Sequence, residues 1–180
     1  MLIEDIRSIN KQKKNFDREQ GISQDRFKLI PRCLIFIRKS DSFLLLKGAS
    51  NKRIWANKYN GVGGHIEIDE DIKTAALREL YEETGLSADL NLRGIVTVDP
   101  GGEIGVGIFV FTGEYTSGEI RPSREGELQW VEISDMKDLP LVEDVQVILE
   151  RIMSMKDNSP PFSAHSFYNI DGNLVVNFRN

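Results

Sequence analysis

At 180 residues and 20.4 kDa the chain suits one domain with appendages, since a domain takes roughly 150 residues, and is too short for two enzymatic domains. Its 40% hydrophobic and 28% charged residues exclude wholesale disorder, its most apolar run, Leu29 to Ile37, is broken by Pro31 and Arg32 and is far too short to span a bilayer, and its single Cys33 excludes an internal disulfide. A net charge of −5 leaves no basic footprint for duplex nucleic acid, and with no leader pattern in MLIEDIRSIN a reducing cytoplasm is the expected compartment.

Leu2, Ile3, Ile6 and Ile9 recur at near-helical spacing before Gly21, which predicts a short helical arm over residues 1 to about 26. Apolar and β-branched residues around a polar break predict strands over Phe27 to Arg38 and Ser42 to Leu46, turned at Lys39 to Asp41. Lys47 to Gly64, rich in Gly, Asn and Lys, reads as a loop leading into a short strand near Tyr59. Asp69 as N-cap, Glu70 and Asp71 in the first turn and Gly85 just past the end predict a helix between them. Strands over Leu90 to Val98, Ile104 to Tyr115 and Glu127 to Ile133 follow, then an amphipathic helix over Val142 to Met155. Beyond Pro160 and Pro161, Asp171 and Gly172 sit between two strand-like runs, a hairpin signal. The expected division is an arm over 1–26, a main domain over 27–158 and a hairpin extension over 159–180 packed on the same domain. The chemistry is expected between Lys47 and about Asp144, with arm and hairpin as accessories.

Charge is not spread evenly. Between Gly64 and Leu86 seven acids stand against Lys73 and Arg78, a net of −5 that equals the excess of the whole chain. Crowded carboxylates repel one another unless a cation or a buried arginine neutralises them. On the predicted helix Glu79, Glu82 and Glu83 stand at i, i+3 and i+4 and so project from one face. Arg78 lies within reach of Glu70 and Glu82. Three convergent carboxylates suit a hard divalent ion such as Mg²⁺, shared with substrate phosphates; a solvated acidic helix face is the alternative.

The spacing decides between them. Gly64, five residues, Glu70, seven residues and then RELYEETGL from Arg78 to Leu86 resembles the Nudix box at every constrained position. The resemblance implies the α/β class, as a Nudix-type α/β/α sandwich around a mixed β-sheet, with Mg²⁺ or Mn²⁺ as cofactor and hydrolysis of a nucleoside diphosphate linked to another moiety. It further implies Glu79, Glu82 and Glu83 as metal ligands, Gly64 as a carbonyl ligand, and Arg78 with Glu70 as the pair that orients the cluster. Which glutamate takes the proton of the attacking water stays open. Such chemistry needs metals because a diphosphate repels hydroxide until its oxygens are neutralised.

A second resemblance, spread over more of the chain, is to the MutT-like branch, which acts on (oxidised) purine nucleoside triphosphates. KYNGVGGHIE is similar to that branch's segment before the box, with Asn60 where the base edge is read, Tyr59 in place of the usual Trp and His65 in place of the usual Lys. EGELQWVEISDMKDLPLVEDV is similar to its downstream segment, which implies Glu125 as a further metal ligand or base, Trp130 as a core or base-flanking aromatic, and Glu143 or Asp144 as a purine reader. Lys47, Arg53 and Lys58 are candidates for holding phosphates. The expected reaction cleaves a nucleoside triphosphate, 8-oxo-dGTP-like or another purine, to monophosphate and pyrophosphate. The partner is a small-molecule nucleotide, the enzyme a monomer or homodimer. ADP-ribose or another dinucleotide is the alternative substrate; a non-enzymatic ligand-sensing module is a further alternative, against which the intact glutamates and the lack of a basic domain speak.

Overall fold

Strands β1 (Lys28–Lys39) and β2 (Ser42–Gly48) form the first predicted hairpin, and their near-continuous apolar runs follow from burial on both faces. The computed structural model describes residues 21, 23, 25–123 and 125–179. The predicted arm therefore lies almost wholly outside the described residues.

One mixed sheet runs in the order β3 (Tyr59–Asn60), β2, β1, β5 (Ile104–Glu114), β4 (Asn91–Asp99), β7 (Phe162–Tyr168) and β8 (Leu174–Arg179), with β6 (Gly126–Glu132) also paired to β2. β1 with β5 and β4 with β7 are parallel; the other pairs are antiparallel. Alternation along β1 feeds two cores. Cys33, Ile35 and Ile37 join Leu44 and Phe111 beneath Ala76 and Leu80 of helix α1 (Ile72–Thr84). Leu34 and Phe36 join Leu45, Val96 and Val110 beneath Val145, Ile148 and Leu149 of helix α2 (Val145–Ser154). A helix thus covers each face, which is the expected α/β/α sandwich, and no helix among the described residues is long and apolar enough to cross a membrane.

Three local readings change. Asp71, not Asp69, caps α1: its Oδ1 accepts from the backbone N–H of Lys73 at 2.8 Å and of Thr74 at 3.1 Å. Glu70 stays outside the helix because Arg78 holds its carboxylate, whereas Gly85, at φ 74°, closes α1 as predicted with its N–H 2.8 Å from Tyr81 O. α2 begins at Val145 rather than Val142, since the Val142 N–H is already given to Tyr59 O at 2.9 Å, tying that segment to β3. The predicted terminal hairpin forms, but as β7 and β8 it extends the same sheet by parallel pairing on β4.

The relationship that makes a site is a divergence. β1 and β2 pair only from Ile37–Leu44 to Lys39–Ser42 and then splay apart. Residues 61–65 fill the gap as a surrogate strand: Ile35 and Val62 exchange hydrogen bonds of 2.7 and 3.1 Å, and the Cys33 N–H donates to Gly64 O at 2.9 Å. Gly63 lies so close to the Cys33 carbonyl, at φ 146°, that no side chain fits there.

Candidate active site

Helix α1 delivers its acids to the surrogate strand, and Arg78 organises them. Its guanidinium meets Glu70 at two points, and its Nη1 lies 3.0 Å from Glu79 Oε1 and 3.1 Å from Glu82 Oε2. Nη2 also donates to the His65 carbonyl at 3.1 Å, fixing helix to loop. The hydrogen bond from Arg78 holds the Glu70 carboxyl below the ordinary range, and the same contact, with those to Glu79 and Glu82, pushes the guanidinium further up. Glu79 packs flat on Gly64, where an added Cβ would lie 2.6 Å from its Cδ.

Glu83 is held differently. Its Oε2 accepts from the Gly63 N–H at 3.1 Å, and burial pushes its carboxyl up to about 7, with Glu125 and Glu79 adding to the rise. Glu125 is itself ion-paired to Lys52. Among the described residues no three His, Cys, Asp or Glu side chains are gathered as a formed metal cage, because Arg78 holds Glu79 and Glu82 while the Gly63 amide holds Glu83. The donor chemistry still fits a divalent ion: the residues offer hard carboxylate oxygens, and burial with the neighbouring Glu125 and Glu79 charges pushes the Glu83 carboxyl up, a repulsion that a cation would relieve.

Two cavities adjoin this cluster. The larger, about 320 Å³, lies on the α2 side of the sheet with an apolar floor of Leu34, Val98, Val106 and Ile108 and a polar rim that includes Asn60, Lys58, Glu143 and Asp144. The smaller, about 60 Å³, holds Glu83, Glu125 and Lys52. Arg32, Trp55, Lys58, Asn60, Gly61 and Gly63 line both, so the two form one cleft passing beside the surrogate strand.

The predicted residues divide accordingly. Asn60, which lines the cleft, accepts from the Gly61 N–H at 2.8 Å through Oδ1, and its amide N–H₂ has no hydrogen-bond partner among the described residues. Lys58 Nζ stands 3.9 Å from Glu143 Oε1, and burial raises the Asp144 carboxyl. Lys47 lies over the Tyr59 ring at 5.7 Å, and neither it nor Arg53 lines the cleft. Tyr59 is a core residue whose hydroxyl donates to Gln129 at 2.8 Å, and Trp130 packs edge-on against Tyr115 on the α1 side, away from the larger cavity.

Five lining residues escape the sequence reading. Arg32 interrupts an apolar strand, which is the one signal for it, and among the described residues it forms no ion pair. Trp55 occupies the left-handed region at φ 60°, in a loop where Asn57 does the same. Lys52 is hidden in a polar loop. Ser166 and Tyr168 come from β7, in the stretch read as an accessory; the polar Ser166 stands at an inward position of an alternating strand.

The NUDIX domain profile matches residues 28–152. An uncharacterized Nudix hydrolase of Bacillus subtilis, YvcI, is 30% identical over 130 residues, 69% of this chain and 78% of that one. The oxidized purine nucleoside triphosphate hydrolase of Danio rerio is 35% identical over 91 residues, 49% of this chain and 58% of its own length. The crystal structure of a MutT protein from Bacillus halodurans superposes with a TM-score of 0.70 at 23% identity, covering 84% of this chain and 97% of that one, a likeness of fold.

Proposed function

The chain belongs to the NUDIX family and is a hydrolase of phosphoanhydride bonds, and from that premise we propose that it cleaves a purine nucleoside triphosphate to the monophosphate and pyrophosphate. The observation that carries this reading is the continuity of the cleft: an apolar cavity rimmed by Asn60, Glu143 and Asp144 opens into the small acidic cavity of Glu83 and Glu125. An amide N–H₂ left without a partner, a buried carboxyl that burial makes reluctant to ionise and an apolar floor suit a purine edge and face.

Family members use divalent cations; held here by Glu79, Glu82 and Glu83 with the Gly64 carbonyl and Glu125, Mg²⁺ or Mn²⁺ would neutralise the phosphate oxygens and acidify the attacking water. Arg78 and Glu70 keep Glu79 and Glu82 aimed. Arg32, Lys52 and Lys58 supply positive charge to phosphates lying between the two cavities. Glu83, desolvated beside the Gly63 amide, is suited to receive a proton near neutral pH.

The test is a panel of purine and pyrimidine triphosphates, 8-oxo-dGTP, ADP-ribose and dinucleotides with Mg²⁺ or Mn²⁺, scored for monophosphate, pyrophosphate and phosphate. Purine triphosphates yielding pyrophosphate are expected to dominate. A clear preference for ADP-ribose or a dinucleotide would overturn the triphosphate reading.

A further inference from the structure

Strand β7 alternates inward and outward, and Phe162, Ala164 and Ser166 are its buried positions. The first two pack in the core beneath α2. Ser166 lies one step further, where that core gives way to the larger cavity, and it lines the cavity wall. Its side chain is fully buried, yet Oγ has no hydrogen-bond partner. Its neighbours across the sheet explain why: Val98 on β4 and Val176 on β8 flank it in register and offer no polar side-chain atom. Buried hydroxyls without partners are rare because desolvation is not repaid, and each calls for a reason. Alanine, which already stands at 164 in the same row, would fill the position without that cost.

Two further observations point the hydroxyl toward a ligand rather than toward the fold. Tyr168, the next residue on that face, lines the same cavity, and its hydroxyl donates to Glu143 Oε2 at 3.3 Å, so the strand also ties down the rim. The floor around Ser166 is otherwise apolar, with Val98, Val106 and Ile108, so none of these neighbours offers its buried Oγ a polar side-chain partner. Ligand cavities that recognise a flat heteroaromatic have this composition: broad apolar contact and a few placed polar groups. The hairpin that supplies Ser166 lies wholly beyond residue 152, where the family match stops.

We propose that the β7–β8 hairpin is the specificity wall of the cleft, with the Ser166 hydroxyl the hydrogen-bonding partner of a polar edge atom of the bound purine base. This rests on the reading that the larger cavity takes the base. A hydroxyl both donates and accepts, so Ser166 meets a ring nitrogen or an exocyclic oxygen by turning its proton. Substrate choice is then set partly by a segment outside residues 28–152, the span of the NUDIX match.

The experiment compares wild type with Ser166→Ala, as full chains. Thermal unfolding without ligand is expected at the same or a higher temperature for Ser166→Ala, since an unpaired hydroxyl is removed; a clear fall would reveal a structural partner and overturn the proposal. Calorimetric titration with GMP, AMP, CMP and inorganic pyrophosphate is expected to show Kd raised roughly five- to tenfold for the purine monophosphate that wild type prefers, the range of one net hydrogen bond, with CMP and pyrophosphate unchanged. KM for the matching triphosphate should rise by the same factor. Equal Kd values for both proteins with every purine monophosphate would overturn the role of Ser166 and leave the purine reading standing. Wild type binding pyrophosphate but no purine monophosphate would overturn both.

Discussion

Arg78 grips Glu70 as a fork, with Nε 2.5 Å from Oε1 and Nη2 2.9 Å from Oε2, across eight residues of sequence. The remaining nitrogen, Nη1, is thereby aimed at Glu79 and Glu82. Glu70→Gln keeps the shape and loses the charge. Activity is expected to fall roughly 10- to 100-fold, the scale of losing a partner that orients metal ligands, and the metal concentration for half-maximal rate to rise. Circular dichroism should be unchanged. A metal titration identical to wild type would refute the orienting role.

Glu83 makes a prediction about pH. Its folded-state carboxyl is pushed up to about 7, above the ordinary value near 4.5, so the folded protein favours the protonated form. The sign follows: the contribution of Glu83 to the stability of the metal-free protein is fully present below about pH 4.5 and is lost as pH rises through about 7, at no more than about 1.4 kcal/mol per pH unit. Glu83→Gln removes that slope and should cut turnover roughly 10²- to 10³-fold, as when one electrostatic stabiliser is lost. Denaturant unfolding in EDTA at pH 5, 6 and 7 reads the first; a variant with wild-type turnover at saturating Mg²⁺ would remove Glu83 from the ligand set.

Gly64→Ala is expected to fold but not to work. Its Cβ would overlap the Glu79 carboxylate, the far end of a flexible side chain, so Glu79 moves aside and leaves Arg78. The loss should again be about 10- to 100-fold. In a Glu79→Ala background the same substitution should cost almost nothing in thermal midpoint, and a penalty of equal size in both backgrounds would place the clash elsewhere.

Asn60→Ala should shrink the preference for purine over pyrimidine triphosphates while sparing the metal dependence. The amide Oδ1 is already engaged by the Gly61 N–H at 2.8 Å, so the free N–H₂ is the group that reads a base acceptor. Sites built to hydrogen-bond a substrate reject analogues that lack the matching atom. The readout is kcat/KM across the four bases, and an unchanged ratio would exclude Asn60 as a reader.

Helix α1 was legible because its evidence is local: carboxylate spacing and a left-handed cap at Gly85 lie within one stretch. The sandwich was legible from the resemblance. What the sequence hid is relational. Asp69 and Asp71 are equivalent as caps until Arg78 is known to hold Glu70. Lys47 reads as a phosphate ligand until strand pairing turns it onto the Tyr59 ring. Ser166 belongs to the cavity only because β7 pairs in parallel with β4, a contact between residues far apart in the chain. The arm over 1–26 lies almost wholly outside the described residues, and its role is untouched by these arguments.

The alternation along β1 has a consequence for how such an enzyme diversifies. Arg32 and Leu34 border the larger cavity, which Cys33 also lines, while Ile35 and Ile37 underlie α1 and the loop it clasps. Apart from Cys33, which touches both sides, the strand therefore carries two sets of positions distinguished by parity. Changes at Leu34 on the even-numbered side, together with those in β7, reshape the larger cavity and leave the layer beneath the glutamates in place, whereas Arg32 borders both cavities. The layer under the glutamates and the floor of the larger cavity are thereby separated by the thickness of a single sheet.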